Sequence, residues 1–206
     1  MKLKMISILV LVALLFAGCT QQTVEQPLQE HPQTAANSNV QTNEPANSNP
    51  NAGITTPMQF SLSSPAFTNN GVIPVKYTCK GGDVIPPLAI AGAPSNTQSF
   101  ALIMDDPDAV QVVGFTYVHW VVFDIPPMAT EMPEGRQIGI IGSAGSGEKR
   151  YEGPCPPPGE THSYSFRLYA LDVEVSLQEG ATKEQLETAM QGHILAQAEL
   201  KGKYGS

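Results

Sequence analysis

The chain of 206 residues is 41% hydrophobic and only 15% charged, enough for one domain with a real core plus extra segments. Its 18 Gly and 18 Pro disfavour long helical bundles and coiled coils. Nineteen acidic against eleven basic residues give a net charge of −8, which excludes the clustered positive surface that a nucleic-acid partner requires.

The N-terminus reads as an export signal. Lys2 and Lys4 form a short positive region, and Met5 to Ala17 is a nearly unbroken apolar run. The run is short for a membrane span and suits the hydrophobic core of a signal peptide. It ends at Phe16-Ala17-Gly18-Cys19, where small residues before a Cys resemble the lipobox of prokaryotic lipoproteins. Residues 1–18 are therefore expected to be a signal peptide, and Cys19 the lipidated first residue of an exported, membrane-anchored chain. Cleavage near Gly18 without lipid is the plainer alternative. Loss of Lys2 and Lys4 leaves nine basic against 19 acidic residues, or −10.

Residues 19–57 read as a tether. From Thr20 to Pro57 there is no aromatic residue and no Lys or Arg, and the large aliphatics are Val24, Leu28, Val40 and Ile54 alone. Such a stretch buries too little apolar area to offset the entropy of ordering. As a flexible coil it would reach about 35 Å root-mean-square.

A domain over 58–206 follows. Met58 to Ser63 alternates apolar and polar residues, as a strand does. Ser99 to Met104 is an apolar run ending at Asp105-Asp106-Pro107-Asp108, and Tyr117 to Phe123 is a β-branched and aromatic strand. By strict alternation, Trp120 faces away from His119 and joins the core. From Ser163 to Leu171, Tyr164, Phe166, Leu168 and Ala170 share one face. Thr182 with Gln185 three residues on predicts a capped helix, with Leu186, Ala189 and Met190 at helical spacing and Gly192 as its stop. Ile194, Ala196, Ala198 and Leu200 alternate in a last strand. The expected domain is mostly β, with one clear helix near the C-terminus.

The chemistry-bearing residues sit at strand ends. Asp106 and Asp108 follow one strand, His119 lies in a second, and His162 opens a third. Before His162 comes Tyr151-Glu152-Gly153-Pro154-Cys155-Pro156-Pro157-Pro158-Gly159, stiffened by four prolines, with glycines that permit close backbone approach. A carboxylate near two imidazoles would raise their pKa, and cationic rings beside free N–H groups would suit an anion. Each residue alone has a plainer reading: a strand His is commonly packed, and Asp-Pro-Asp is commonly a turn.

Taken together, these motifs resemble the phosphatidylethanolamine-binding protein family. They are Asp105-Asp106-Pro107-Asp108-Ala109, Val118-His119-Trp120-Val121-Val122, the segment Tyr151 to Gly159, and His162 to Asp172. Ser64-Pro65-Ala66-Phe67, Tyr77-Thr78-Cys79 and Gly192 to Leu200 narrow the resemblance to the Raf-kinase-inhibitor-like (YbhB/YbcL) branch, over about Phe60 to Tyr204. The resemblance implies a large antiparallel sheet packed on a smaller one, with peripheral helices. It implies an anion-binding pocket at Asp106, His119, His162 and Tyr164, lined by the backbone of Gly153 to Cys155, with Pro107 and Asp108 as structural support. Val110 and Ser163 depart from the family pattern, where Pro and Arg are usual.

With Cys19 assigned to lipid, Cys79 and Cys155 remain as a pair. A Cys79–Cys155 disulfide is the expectation for an extracytoplasmic compartment; two buried thiols are the alternative. The Gly-rich segment Gly142 to Gly147 lacks the Lys of a phosphate-binding loop, and no Gly-x-Ser-x-Gly elbow exists. The expectation is therefore a binding module and not an enzyme, with no cofactor and no metal. Its partners would be a small anion or phospholipid head group, the membrane through Cys19, an unidentified protein to be regulated, and a second copy in a homodimer. A hydrolase using the Asp106/His119/His162 pocket and a metal site on the same three residues are the competing classes.

Overall fold

A computed structural model describes residues 58–205. The signal segment, Cys19 and the tether lie outside the described residues. In chain order the elements are β1 (Ser61–Ser63), β2 (Gly71–Val72), a 3-10 turn (Val75–Tyr77), β3 (Leu88–Ala91), β4 (Ser99–Asp106), α1 (Val110–Val113), β5 (Tyr117–Ile125), β6 (Glu131–Met132), β7 (Ile140–Ile141), β8 (Thr161–Leu171), α2 (Lys183–Ala189) and β9 (Ile194–Gly205). They form a three-stranded sheet of order β1-β3-β6 and a six-stranded sheet of order β2-β9-β8-β4-β5-β7. All pairings are antiparallel except β2 on β9. The fold is thus mostly β, a large sheet on a small one with peripheral helices.

Period two on the long strands decides what each face buries. Tyr164, Phe166, Leu168 and Ala170 of β8 meet Phe100, Leu102 and Met104 of β4 and Trp120 and Val122 of β5. Leu62, Leu88, Ile90 and Met132 of the small sheet close this core from the other side. The opposite face carries Ala101, Ile103, Val121, Phe123, Tyr169 and Leu171, covered by Leu186 of α2 and Met190 at its end. Strand β4 is buried along its whole length, which is why it reads as a continuous apolar run and not as an alternation.

Helix α2 starts where its capping box predicts. The Thr182 hydroxyl accepts from the Gln185 N–H at 3.4 Å, and the Gln185 side chain accepts from the Thr182 N–H at 2.9 Å. The single turn α1 had no sequence signal: it lacks a side-chain cap and an apolar stripe facing inward. The first strand begins at Ser61, and β5 runs on to Ile125.

The pairing of β4 with β5 slips by one residue: Met104 pairs with Trp120, but Asp105 pairs with Val118. His119 is the extra residue of a β-bulge. The slip breaks the alternation. Val118 packs on the α2 side, while Trp120 lies in the inter-sheet core and His119 meets Tyr164 of that same core. His119 and Trp120 therefore share a face, contrary to the strict-alternation expectation.

Candidate functional site

The site lies at one end of the inter-sheet face. Because β4 runs antiparallel to both neighbours, its last residue, Asp106, arrives where β5 and β8 begin. Asp106 pairs with Tyr117, the first residue of β5, and its carboxylate reaches His162, the second residue of β8. A cavity of about 640 Å³ opens there, lined by Asp106, Tyr117, His119, His162, Glu152, Arg150 and the segment Gly153 and Cys155 to Pro158, among others.

Four ties hold the lining segment in place. Cys155 is disulfide-bonded to Cys79, with Cα atoms 5.5 Å apart across 76 positions. The Cys79 N–H donates to the Pro154 carbonyl at 3.2 Å, and the Gly153 N–H to Asp83 Oδ1 at 2.9 Å. The Tyr151 hydroxyl donates to the Tyr77 carbonyl at 2.7 Å. Glycine at 153 is required by closeness: a Cβ there would stand 2.6 Å from the Tyr77 carbonyl oxygen and 2.7 Å from Thr78 Cα.

The two imidazoles have opposite electrostatics. His162 Nδ1 lies 2.7 Å from Asp106 Oδ2, and its Nε2 lies 3.2 Å from Glu160 Oε2. Carboxylates only accept, so both ring nitrogens donate and the ring is an imidazolium. Burial works against that charge, but hydrogen bonds to Asp106 and Glu160 outweigh it and hold the His162 pKa above the ordinary value. His119 Nδ1 instead donates to the Glu152 backbone carbonyl at 2.8 Å. Its ring packs edge-on against Tyr117 and Tyr164, and burial drives its pKa down. His119 is therefore neutral, with Nε2 as the unprotonated nitrogen. The expectation of two cationic imidazoles is corrected on this point: the Asp106 carboxylate is bonded to one ring only, and desolvation decides the other.

Supporting residues complete the frame. Asp106 Oδ1 accepts from the N–H groups of Asp108 (2.9 Å) and Ala109 (3.1 Å), which aims Oδ2 at His162. Asp108 Oδ2 accepts from the Ser163 N–H at 2.7 Å and so bridges the turn after β4 to β8. Pro107 sits inside that turn. Tyr164 is fully buried behind the two rings. Its hydroxyl makes no hydrogen bond, although Asp106 and the Cys155 backbone lie beside it; burial, then the Asp106 charge, push its pKa up.

Sequence reasoning missed five polar members of the cavity: Asp83, Tyr117, Ser146, Arg150 and Glu152. Glu152 accepts from the Tyr117 hydroxyl (2.8 Å) and the Ser146 hydroxyl (2.5 Å), and Arg150 Nη2 reaches it at 3.2 Å. Burial and the Glu152 hydrogen bond push the Tyr117 phenol up to about 12. Arg150 also approaches Asp83 at 3.5 Å and is half exposed at the mouth. A signal was present: Arg150 and Glu152 immediately precede the Gly153-Pro154-Cys155 motif. Among the described residues, no three His, Cys, Asp or Glu side chains form a metal-holding group.

Residues 63–205 match the family described as phosphatidylethanolamine-binding protein. A UPF0098 protein of Pyrococcus horikoshii is 45% identical over 157 residues, covering 71% of this chain and 77% of the relative. A UPF0098 protein of Methanothermobacter thermautotrophicus is 44% identical over 152 residues, covering 70% and 98%. Among solved structures, a phosphatidylethanolamine-binding-protein homologue from Chlamydia trachomatis superposes with a TM-score of 0.68 at 42% identity, over 71% of this chain and 97% of the other. Escherichia coli YbcL superposes with a TM-score of 0.66 at 26% identity, over 71% and 98%. A match this long takes in every strand of the large sheet and all the residues that line the cavity, and on that ground the chain belongs to the phosphatidylethanolamine-binding protein family.

Proposed function

We propose that this protein is a binding module whose cavity takes a small phosphate-bearing anion, free or as a phospholipid head group, on a domain tethered outside the cytoplasmic membrane through Cys19. The observation that carries this reading is Glu160: an exposed carboxylate of the chain itself already rests on the outward nitrogen of the His162 imidazolium. An incoming phosphate oxygen would replace Glu160 there and accept a charge-assisted hydrogen bond. Arg150 at the mouth supplies a second cation with a planar fork of donors. Neutral His119 offers an acceptor nitrogen to a ligand O–H or N–H. The same proposal includes binding and restraint of a partner protein by the exported domain.

Binding is preferred to hydrolysis because neither the hydroxyl nor the sulfur in the cavity forms a nucleophile paired with His119 or His162. Ser146 donates to Glu152, and Cys155 is in a disulfide. Calorimetric titration with inorganic phosphate and with phosphoethanolamine tests the reading. Saturable binding that weakens about tenfold or more in Arg150→Ala is expected, an interaction of about 1.4 kcal/mol. No heat with either ligand at pH 6 would refute it. Turnover of generic phosphate or carboxylic esters, abolished in His162→Ala, would favour the hydrolase instead.

A further inference from the structure

The Cys79–Cys155 bond lies where a reductant can reach it. Both residues are exposed, and both line the cavity that holds Arg150 and His162. Buried structural disulfides resist reduction, whereas exposed ones are those that exchange with external thiols. Neither cysteine sits in a strand. Cys79 follows the 3-10 turn, Cys155 lies between β7 and β8, and neither belongs to a core cluster. Opening the bond therefore breaks no sheet pairing.

The bond instead sets the position of the cavity wall. Beyond turn hydrogen bonds to the Thr78 carbonyl, polar contacts join the loop 79–83 to that wall. The Cys79 N–H rests on the Pro154 carbonyl at 3.2 Å, and the Asp83 carboxylate takes the Gly153 N–H at 2.9 Å and Arg150 at 3.5 Å. Asp83 holds a φ of +54°, which an L side chain rarely adopts and which its surroundings must maintain. At Gly82, with a φ of +94°, an added Cβ would meet nothing within 4 Å, so the loop has open space beside it. Once the covalent tie is cut, the loop relaxes into that space and draws Asp83 away from Gly153.

We propose that the Cys79–Cys155 disulfide is a thiol-exchange site that switches the cavity, with an external dithiol as its partner. One thiolate of the dithiol bonds to one of the two sulfurs, and the other sulfur leaves as a thiolate. The second thiol of the dithiol then displaces the first. The dithiol is oxidised to a disulfide, and two electrons and two protons pass to Cys79 and Cys155. The oxidised wall holds the anion, and the reduced wall releases it. This rests on the anion reading of the cavity and adds its regulation. The coupling is reciprocal: an anion held better by the oxidised form protects the bond from reduction by the same factor.

The test titrates the full chain with inorganic phosphate at pH 6, oxidised, and again after reduction by dithiothreitol and its removal under nitrogen. Affinity about tenfold weaker in the reduced form is expected. Saturating phosphate should then lower the reduction potential of the bond by about 30 mV, read in buffers of reduced and oxidised dithiothreitol. Alkylation at Cys79 and Cys155, located by peptide mass, reports the redox state and keeps Cys19 out of the count. Amide hydrogen exchange at Cys79 and Gly153 should quicken on reduction, while Phe166 in the middle of β8 stays protected. Quickening at Phe166 as well would make the bond a staple of the whole fold and overturn the switch. Equal phosphate affinity in the two forms, or a bond that dithiothreitol leaves intact in the folded chain, would overturn it too. The double variant Cys79→Ser/Cys155→Ser should bind phosphate as the reduced chain does; affinity equal to that of the oxidised chain contradicts the proposal. Phosphate bound equally by both forms defeats the switch alone; phosphate bound by neither defeats the cavity reading, and the switch with it.

Discussion

At the residue scale, the site turns on one carboxylate deciding the charge of one ring. Asp106 is held by two backbone N–H groups and gives its other oxygen to His162. The folded pKa of His162 is raised, so the charged pair stabilises the fold fully below the ordinary histidine value and is lost as pH rises through the raised value. Phosphate affinity follows the same sign: strong at pH 6, weaker as His162 loses its proton. Asp106→Asn removes the carboxylate, lowers the His162 pKa and moves that weakening to lower pH. A charge-assisted hydrogen bond contributes about 1.5–3 kcal/mol, so the variant should also lose stability at pH 6 by that order. Proton NMR of the His162 ring gives the pKa directly, and an unchanged midpoint in Asp106→Asn would contradict this account. His119 moves the other way: its folded pKa is lowered, so it penalises the fold as pH falls below the ordinary value and is silent above it.

At the element scale, the segment before β8 and the capped helix α2 make separable demands. Gly153 is pressed against the Tyr77–Thr78 backbone, where no flexible side chain can yield to a Cβ. Gly153→Ala should push the Gly153–Cys155 segment outward and weaken phosphate binding more than its loss of stability accounts for. Equal affinity in the folded variant would show that the segment's position does not matter to the ligand. The capping box of α2 predicts a purely structural effect. Thr182→Ala should cost about 1 kcal/mol of stability, read as a lower urea midpoint at unchanged slope, with phosphate affinity intact. The β-bulge at His119 belongs to this scale too. One extra residue in β5 turns the ring toward Tyr164 and the cavity, a use of irregular pairing common beside functional sites.

At the scale of the whole molecule, the Cys79–Cys155 bond ties the turn after the 3-10 segment to the cavity wall across 76 positions. Closing a loop of that length contributes about 4 kcal/mol in the chain-entropy model. Reduction with dithiothreitol, or the double variant Cys79→Ser/Cys155→Ser, should therefore lower Tm by about 10 °C, at about 2–4 °C per kcal/mol for a domain of this size. A melting curve that does not move on reduction would mean the bond adds nothing in solution.

Much of the large sheet was legible along the chain because burial on strands follows period two. The face Tyr164, Phe166, Leu168 and Ala170 is an unbroken alternation, and the Thr182/Gln185 pair marks a helix start by side-chain chemistry that acts over three residues. The sequence also determined the apolar N-terminal run and its Cys, the acid excess, and a family resemblance carried by several ordered motifs. Tertiary structure alone decided the rest. The register of β4 against β5 and β8 sets whether Asp106 meets one imidazole or two, and a single bulged residue reversed the face of His119. Burial then separated the two rings, since the desolvation of a ring depends on what packs over it and not on its neighbours in the chain. Arg150 and Glu152 entered the cavity for the same reason: their partners Asp83 and Tyr117 come from distant segments that only the closed fold brings within hydrogen-bond reach.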